Sequence, residues 1–583
     1  MVAKITLVLI LFVLNTYPQQ FTKILTGAPV NDAGESFGVA WVDLNNDGLP
    51  DLIVSNGGAA GVKQRNFVYM NNGNGTFTKV TSGDIIQDSS ISNGATIADY
   101  DNDGFPDVFI ANRNLENNFL FKNINGTSFQ KITTGSIAND GGETNDACWV
   151  DYNNDGFVDL YAVNFMGKRF LYKNNGNGTF TKIDTGLVVT ESTTSITCSF
   201  GDYDNDNLPD LFIANPNLGN ELFHNEGNGY FRKITSDPVV DNIGVSMSGT
   251  WGDYDNDGYL DLFVANQQGT KNFLYHNERN GTFRKITTGD IVNDISWGIS
   301  GSWVDYDNDG YLDLFVANFN GNKNFLYHND GPPNYTFTKI TTGDIVNDVG
   351  NSMAAAWADF DNDGYPDLFV ANRGNLNNFL YKNNNSGNNW VNFTCIGTTS
   401  NKSAIGTKVR IKAKLNGLDT WQLREINSQH GYNSENDLRV SFGIANAAVI
   451  DSVLVQWPSG KVDVFTNIIP NKFYKIIEGS GIQIITGIKN NPGIKPLGFN
   501  IQQNYPNPFN PSTTIKYSIP SGNNVRIIVN DIMGRQISLL VNEFKSPGEY
   551  SVVFNSGSIP SGIYFYSLIS GSMRMTKKMI IIK

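Results

Sequence analysis

DYDNDGYLD, at residues 253–261, recurs letter for letter at 305–313, and five variants extend the series along the chain. They read DLNNDGLPD from Asp43, DYDNDGFPD from Asp99, DYNNDGFVD from Asp151, DYDNDNLPD from Asp202 and DFDNDGYPD from Asp359. Successive starts lie 56, 52, 51, 51, 52 and 54 residues apart. That is the period of one four-stranded propeller blade, and seven such units fall within the usual range of blade number.

The sequence around each loop supplies the strands. In a typical unit GSWVDYD leads in, DLFVAN leads out, NFLYHN follows a polar turn and TFTKIT ends the unit. After the seventh loop a fourth strand is missing, but FTKILTG stands at Phe21, ahead of the first loop. The expected fold is therefore all-β: a seven-bladed β-propeller over 20–385, closed by an N-terminal strand at 21–27, since closure removes exposed sheet edges. Two residues before each loop stand Trp41, Ile97, Trp149, Phe200, Trp251, Trp303 and Trp357, read as packing between blades, with a sugar platform as the alternative.

Oxygens at loop positions 1, 3, 5 and 9, with the backbone carbonyl of position 7, can curl around a hard cation. Such a set without Cys or His favours calcium. The expected ligands are Asp43, Asn45, Asp47, Leu49 and Asp51 in loop one, and Asp99, Asp101, Asp103, Phe105 and Asp107 in loop two. Loop three offers Asp151, Asn153, Asp155, Phe157 and Asp159, and loop four Asp202, Asp204, Asp206, Leu208 and Asp210. Loops five and six offer Asp253, Asp255, Asp257, Tyr259, Asp261 and Asp305, Asp307, Asp309, Tyr311, Asp313; loop seven offers Asp359, Asp361, Asp363, Tyr365 and Asp367. Gly at position 6 permits the turn, and only loop four departs, with Asn207. No Glu stands at position 12 and a strand follows, so a helix–loop–helix switch is excluded. Up to seven Ca²⁺ would cancel the formal charge of −14.

That acidic balance disfavours nucleic acid and anionic lipid as partners. Cys148, Cys198 and Cys395 are too few for a disulfide framework. Alternation puts Cys148 and Cys198 on opposite faces of their strands, as buried free thiols. His224, His276 and His328 alternate with Lys122, Lys173 and Lys382 at one repeat position, so they read as strand-surface residues. There is no P-loop or dinucleotide fingerprint. Residues 1–19 carry Lys4 and the apolar run from Ile5 to Leu14, a signal peptide in pattern, and no later run is long enough to cross a bilayer.

With loop and strands matching together, residues 21–385 resemble the FG-GAP or VCBS repeats that also build the head of integrin α chains. In that family the metal loops are structural and face away from the ligand surface. SAIGTKVRIKA, LREINSQHGYNSEND and VLVQWPSGKVDVFTNI resemble the ASPIC/UnbV domain, assigned to 386–479 as a small β domain with Gly406, His430, Gly431, Tyr432, Trp457, Pro458 and Gly460 matching its pattern. A linker is expected at 480–498. From Phe499 to Lys583, NYPNPFNPSTTIKY with Gly534, Arg535, Gly548, Gly562, Tyr564, Lys577 and Lys578 resembles the type A C-terminal sorting domain of type IX secretion, an Ig-like β-sandwich. The resemblance implies export through the periplasm and across the outer membrane, to the medium or the cell surface.

The function expected is a secreted or surface-displayed calcium propeller that binds extracellular protein or carbohydrate and engages the type IX machinery. Alternatives are a polysaccharide lyase or hydrolase, which needs a non-repeated acid–base pair, and a structural part of a surface assembly.

Overall fold

In the computed structural model the described residues are 20–57, 63–191, 194–384, 386–485 and, in the C-terminal unit, 500–582 apart from 502, 505, 520–522, 546–547 and 571–572. The signal segment 1–19 and most of the expected linker lie outside them. The chain divides into two compact units, Met1–Lys489 and Asn490–Lys583.

The first unit holds a propeller-type array of seven antiparallel sheets, each built on four strands. Sheet one is Ser36–Val42, Asp51–Asn56, Phe67–Asn71 and Phe77–Lys79. Sheet seven runs Ser352–Ala358, Asp367–Asn372 and Phe379–Asn383, and takes Phe21–Lys23 as its fourth strand, with Phe21 opposite Asn383. The first strands of neighbouring sheets pack side by side, and Ser36–Val42 packs on Ser352–Ala358. Burial explains the composition. These first strands are wholly buried, so they read as continuous apolar or small-residue runs such as SMAAAWA. Trp41 stacks on Phe360 of loop seven and Tyr100 of loop two on Trp149, which makes the large apolar side chain before each loop, Ile97 included, a buried inter-sheet filler and rules out a sugar platform there. Cys148 and Cys198 do leave opposite faces of equivalent strands. Because adjacent sheets stack face to face, the two thiols meet in one core, Cys148 Sγ donating to the Cys198 carbonyl at 3.0 Å.

Short helices follow the fourth strands, at Ala28–Asn31, Asp84–Gln87, Leu187–Thr190, Pro238–Asp241, Asp290–Asn293 and Asp344–Asn347. Most start after a Gly of positive φ, such as Gly289 at 93°, and bury two apolar side chains, here Ile291 and Val292. An all-β reading of the repeat omits them.

The second domain stacks two four-stranded sheets, one around Trp390–Ile396 and one around Lys408–Leu415. The linker expected from residue 480 starts later: Gly481–Ile484 pairs antiparallel with Phe473–Ile477, because the alternation in GIQI still fits a sheet edge. This domain is not a separate body. Its segment from Ser428 to Asp437 runs in among the seven first strands. Ser434–Glu435 pairs in parallel with Val39–Ala40, and the Val39 amide donates to the Asn433 carbonyl at 3.0 Å. Glu435 accepts from the Ile97 amide at 2.8 Å and Ser428 donates to the Trp149 carbonyl at 2.8 Å. On the other side Ser300 Oγ accepts from the Tyr432 amide, Ser434 Oγ from the Ala355 amide and Asn436 Oδ1 from the Trp357 amide. The Tyr432 ring packs with Phe37, Ile196, Met247, Ile299 and Met353, from sheets one, four, five, six and seven. Sheets one to seven are thus all touched by one strand of another domain.

The C-terminal unit has its own core under two antiparallel sheets, of three and four strands.

Gly431 gives a direct test of the inserted segment. Its φ is +148°, and a Cβ there would lie 2.3 Å from Ser300 Oγ and 2.7 Å from the Gly301 carbonyl. Gly431→Val is expected to cost about 2 kcal/mol or more, read as a lower Tm, whereas Gly562→Ala, where φ is ordinary and a Cβ would meet only the Tyr564 ring at 3.6 Å, is expected to shift Tm far less.

Candidate metal centre

All seven acidic loops connect the first and second strands of their sheets, at one end of the array. Within a loop the position-1 carboxylate is pinned by the chain itself: Asp43 accepts from the Asp47 and Gly48 amides at 3.0 and 2.7 Å, and Asp359 from the Asp363 and Gly364 amides at 2.9 and 2.8 Å. The position-5 carboxylate accepts from the position-7 amide, as Asp309 does from Tyr311 at 2.9 Å. The position-9 side chains, Asp51 to Asp367, are at most 1% exposed. Each bonds the backbone amide of an Asn in its third strand, from Asn71 to Asn383, at 2.6–2.8 Å.

Two Asn positions then tie loop to loop. The position-4 Asn has positive φ, between 54° and 63°, and its amide donates to the position-6 carbonyl of the next loop. Asn46 reaches Gly104, Asn102 reaches Gly156, Asn154 reaches Asn207, Asn205 reaches Gly258, Asn256 reaches Gly310 and Asn308 reaches Gly364, all at 2.8–3.0 Å. Asn362 then reaches Gly48, at 3.0 Å. The third-strand Asn works in the other direction, donating to the position-2 carbonyl of the preceding loop, as Asn123 does to Leu44 and Asn71 to Phe360. Neither Asn is read from the sequence as a tie between loops, although the recurrence of the second in NFLYHN-like segments was the available signal.

Electrostatically the loops are unstable on their own. Burial, aided by neighbouring carboxylates, pushes Asp43, Asp99, Asp151 and Asp261 up to about 7, Asp210 to about 8 and Asp107 to about 9. Asp253, Asp305, Asp359 and Asp367 are raised well above the usual carboxylate range by the same cause. Asp101 Oδ1, Asp361 Oδ1 and Asp159 Oδ2 are buried acceptors without a hydrogen-bond partner. Crowded, desolvated oxygen acceptors are what a hard divalent cation satisfies, and several clusters bring three ligand atoms within 4.8 Å, Asp99, Asp101 and Asp107 among them.

The recurring cations are not the strand-surface residues expected. They lean into the loops because position 9 and the third strand are hydrogen-bonded neighbours. His224 Nδ1 lies 3.0 Å from Asp210, His276 Nδ1 3.3 Å from Asp261 and His328 Nδ1 3.2 Å from Asp313. Lys122 pairs with Asp101 and Asp103, and Lys382 with Asp361 and Asp363. His430, by contrast, is deep in the inserted segment, and burial lowers it to about 4, so it is neutral.

The second domain covers this loop end. The Asp99 amide donates to Ser403 Oγ, the Lys402 amide to Asn102, the Gly443 amide to Asp305 and the Ala445 amide to the Asn308 carbonyl. Lys408, 1% exposed, pairs with Asp202, and Arg439 bonds Asn362 and the Asp359 carbonyl. Loop four, with Asn207 (φ 73°) in place of Gly, also gains a bond from Asn207 to the Pro458 carbonyl.

Comparison with known proteins matches three family models: an FG-GAP-like repeat over 43–110, 99–162, 151–213, 202–264, 253–316 and 305–370; ASPIC and UnbV over 397–483; and a secretion system C-terminal sorting domain over 503–583. Similar proteins include cartilage acidic protein 1 of Xenopus tropicalis, 28% identical over 270 residues (43% of this chain, 40% of that one), and of Homo sapiens, 27% over 288 (46% and 41%). Integrin alpha-4 of Xenopus laevis is 36% identical over 104 residues, 16% of this chain and 10% of that one. The chain thus spans about two fifths of the cartilage proteins it matches. Among solved structures, Saccharomyces cerevisiae Sqt1 is similar at 12% identity and TM-score 0.38, over 63% of this chain and 98% of that one. The sorting domain marks the chain as secreted or cell-surface cargo that engages a secretion machinery. Among the described residues no helix is long and apolar enough to cross a membrane.

The raised carboxylates fix a pH dependence. Unfolded Asp titrates near 3.9; in the metal-free fold these groups hold their protons to about 7 or above. The unfolded state therefore releases protons first, and metal-free stability falls as pH rises from about 4 through 7. Thermal unfolding in chelator is expected to show a higher Tm at pH 5 than at pH 8, and added calcium to raise Tm more at pH 8 than at pH 5. Equal calcium effects at both pH values would contradict this.

Proposed function

This chain belongs to the FG-GAP-like repeat family, whose model spans 43 to 370, and from that premise we propose that its seven sheets close into one propeller, with calcium in the seven loops, that serves as an extracellular binding or adhesion module. The closure reading is supported by the pairing of Phe21–Lys23 with the last sheet and by the bonds from Asn71 to Phe360 and Asn362 to Gly48, each joining the seventh repeat to the first. The metal reading is supported by the orphaned acceptors and raised carboxylates of the loops. The ligands would be the position-1, -3, -5 and -9 side chains and the position-7 carbonyls of each loop, from Asp43 to Asp367. Calcium there would neutralise the acids and hold the loop end rigid for the domain above it.

One observation carries the binding assignment: the chain itself occupies two of the places where a propeller takes ligands. The loop end lies under the second domain and the axis holds Ser428–Asp437. The opposite end remains, where the connections between second and third strands lie. Phe37, Phe165 and Phe319 surround Tyr432 there, with Arg113 over the Phe165 ring and Arg373 over those of Phe37 and Phe319. Leu115, Met166, Leu218 and Leu376 stand exposed on the same connections. Aromatic rings beside arginines on a rigid frame suit an extracellular protein or carbohydrate presenting acidic or hydroxyl groups.

Arg113→Ala with Arg373→Ala is the test. Binding of the calcium-loaded chain to a glycan array and to extracellular matrix proteins is expected to weaken about tenfold or more, with Tm little changed. Unaltered binding by the double variant, or its loss through substitutions on the second domain's outer sheet, would refute the assignment.

A further inference from the structure

Where the second domain meets sheets five, six and seven, the contact is incomplete. A cavity of about 150 Å³ lies between Trp251, Trp303 and Trp357 on one side and Arg424, His430 and Arg439 on the other. A space of that size takes about six heavy atoms.

The two arginines differ. Arg439 is fully engaged: it pairs with Asp437, bonds Asn362 and the Asp359 carbonyl, and lies over the Phe473 ring. Arg424 is set as deeply and has no ion-pair partner among the described residues. Its Nη1 donates to the Leu423 carbonyl at 2.8 Å, its Nη2 reaches Gln422 Oε1 only at 3.5 Å, and its guanidinium lies 5.2 Å from the centre of the Phe442 ring. A guanidinium carries five N–H donors, so most of these are left without an acceptor. Five carboxylates line the same space and each is engaged already: Asp253 by the Asp257 and Gly258 amides, Asp305 by the Asp309, Gly310 and Gly443 amides, Asp359 by the Asp363 and Gly364 amides, Glu425 by the Asp202 amide and Asp437 by Arg439. His430 adds a donor, because its Nδ1 accepts from the Asn436 amide, which leaves the ring proton on Nε2. Arg424 and His430 both keep accessible surface despite their depth, and both line the cavity.

The partly open space therefore offers a cation, spare donors and flat indole walls. Its complement is an acceptor that bears a negative charge and a small apolar body. We propose that this cavity is a binding site for a small monocarboxylate, its carboxylate on the Arg424 guanidinium and its carbon end against the tryptophans. A half-buried guanidinium without an ion-pair partner gains from a carboxylate hydrogen-bonded to it. Bound there, the anion would bridge ring and cap.

Acetate is the probe, added to the full-length, calcium-saturated chain, with sodium chloride at equal ionic strength as the control. Acetate is expected to raise Tm saturably, by roughly 2–4 °C. Arg424→Met is expected to lose the shift, and Arg424→Lys to keep part of it. In crystals soaked with acetate, difference density for a carboxylate is expected beside Arg424. An equal shift with chloride, or an undiminished acetate shift in Arg424→Met, would overturn the proposal. Should Arg424→Met fail to fold, the soaked crystal decides: carboxylate density in the cavity supports the site and its absence rejects it.

Discussion

Desolvated carboxylates crowded at one end of the array of sheets are the constraint on which the rest of this structure depends. Each loop folds its acids inward, onto its own amides and onto the third strand, and so removes them from water. That arrangement is tolerable only where positive charge or hydrogen bonding offsets the mutual repulsion. The side chains nearest the loops supply some of it. His224, His276 and His328 lean on position 9, and Lys122 and Lys382 on positions 3 and 5. The second domain adds Lys408 at Asp202 and the Gly443 amide at Asp305. Orphaned acceptors remain at Asp101, Asp159 and Asp361, and a hard cation bound there would satisfy them.

The same loops tie the sheets to one another. The position-4 Asn donates forward and the third-strand Asn backward, so neighbouring repeats are linked twice by buried or half-buried hydrogen bonds. A bond of this kind is worth about 1 kcal/mol, small singly, but the set is repeated at each junction and fixes the relative rotation of the sheets. Apolar packing between them, as in the stack of Trp41 on Phe360, supplies bulk without register. The polar links and the loop geometry are therefore one device: movement in a loop shifts the carbonyl its neighbour uses. The second domain, seated on that end, inherits the order of the loops and sends its own strand down the middle.

Much of this was legible in the sequence, for a physical reason. The loop motif is local chemistry, since ligand spacing, the position-6 turn and the strand that follows all lie within a dozen residues. The repeat period and the stray FTK at Phe21 carried the sheet order as well. What stayed hidden was the destination of side chains across long sequence separations. SQHGYNSEND stood out as a motif, but nothing local says that Tyr432 packs against Met247 and Met353. Asn71 looks like the end of a strand until its partner, Phe360, is known. His224 at an alternating position suggests a surface, and only the register against Asp210 turns it inward. The one-turn helices were missed because four residues hold too little periodicity to read, although the Gly before them and the paired apolar residues recur.

The most direct test is the metal content of the full-length chain. Purified in calcium buffer, exhaustively dialysed and assayed by elemental analysis, it should retain close to seven calcium ions per chain, and chelation should lower Tm substantially. A calcium content near zero with an unchanged Tm would contradict the account, and would leave the acidic loops to be explained by hydrogen bonding and internal cations alone.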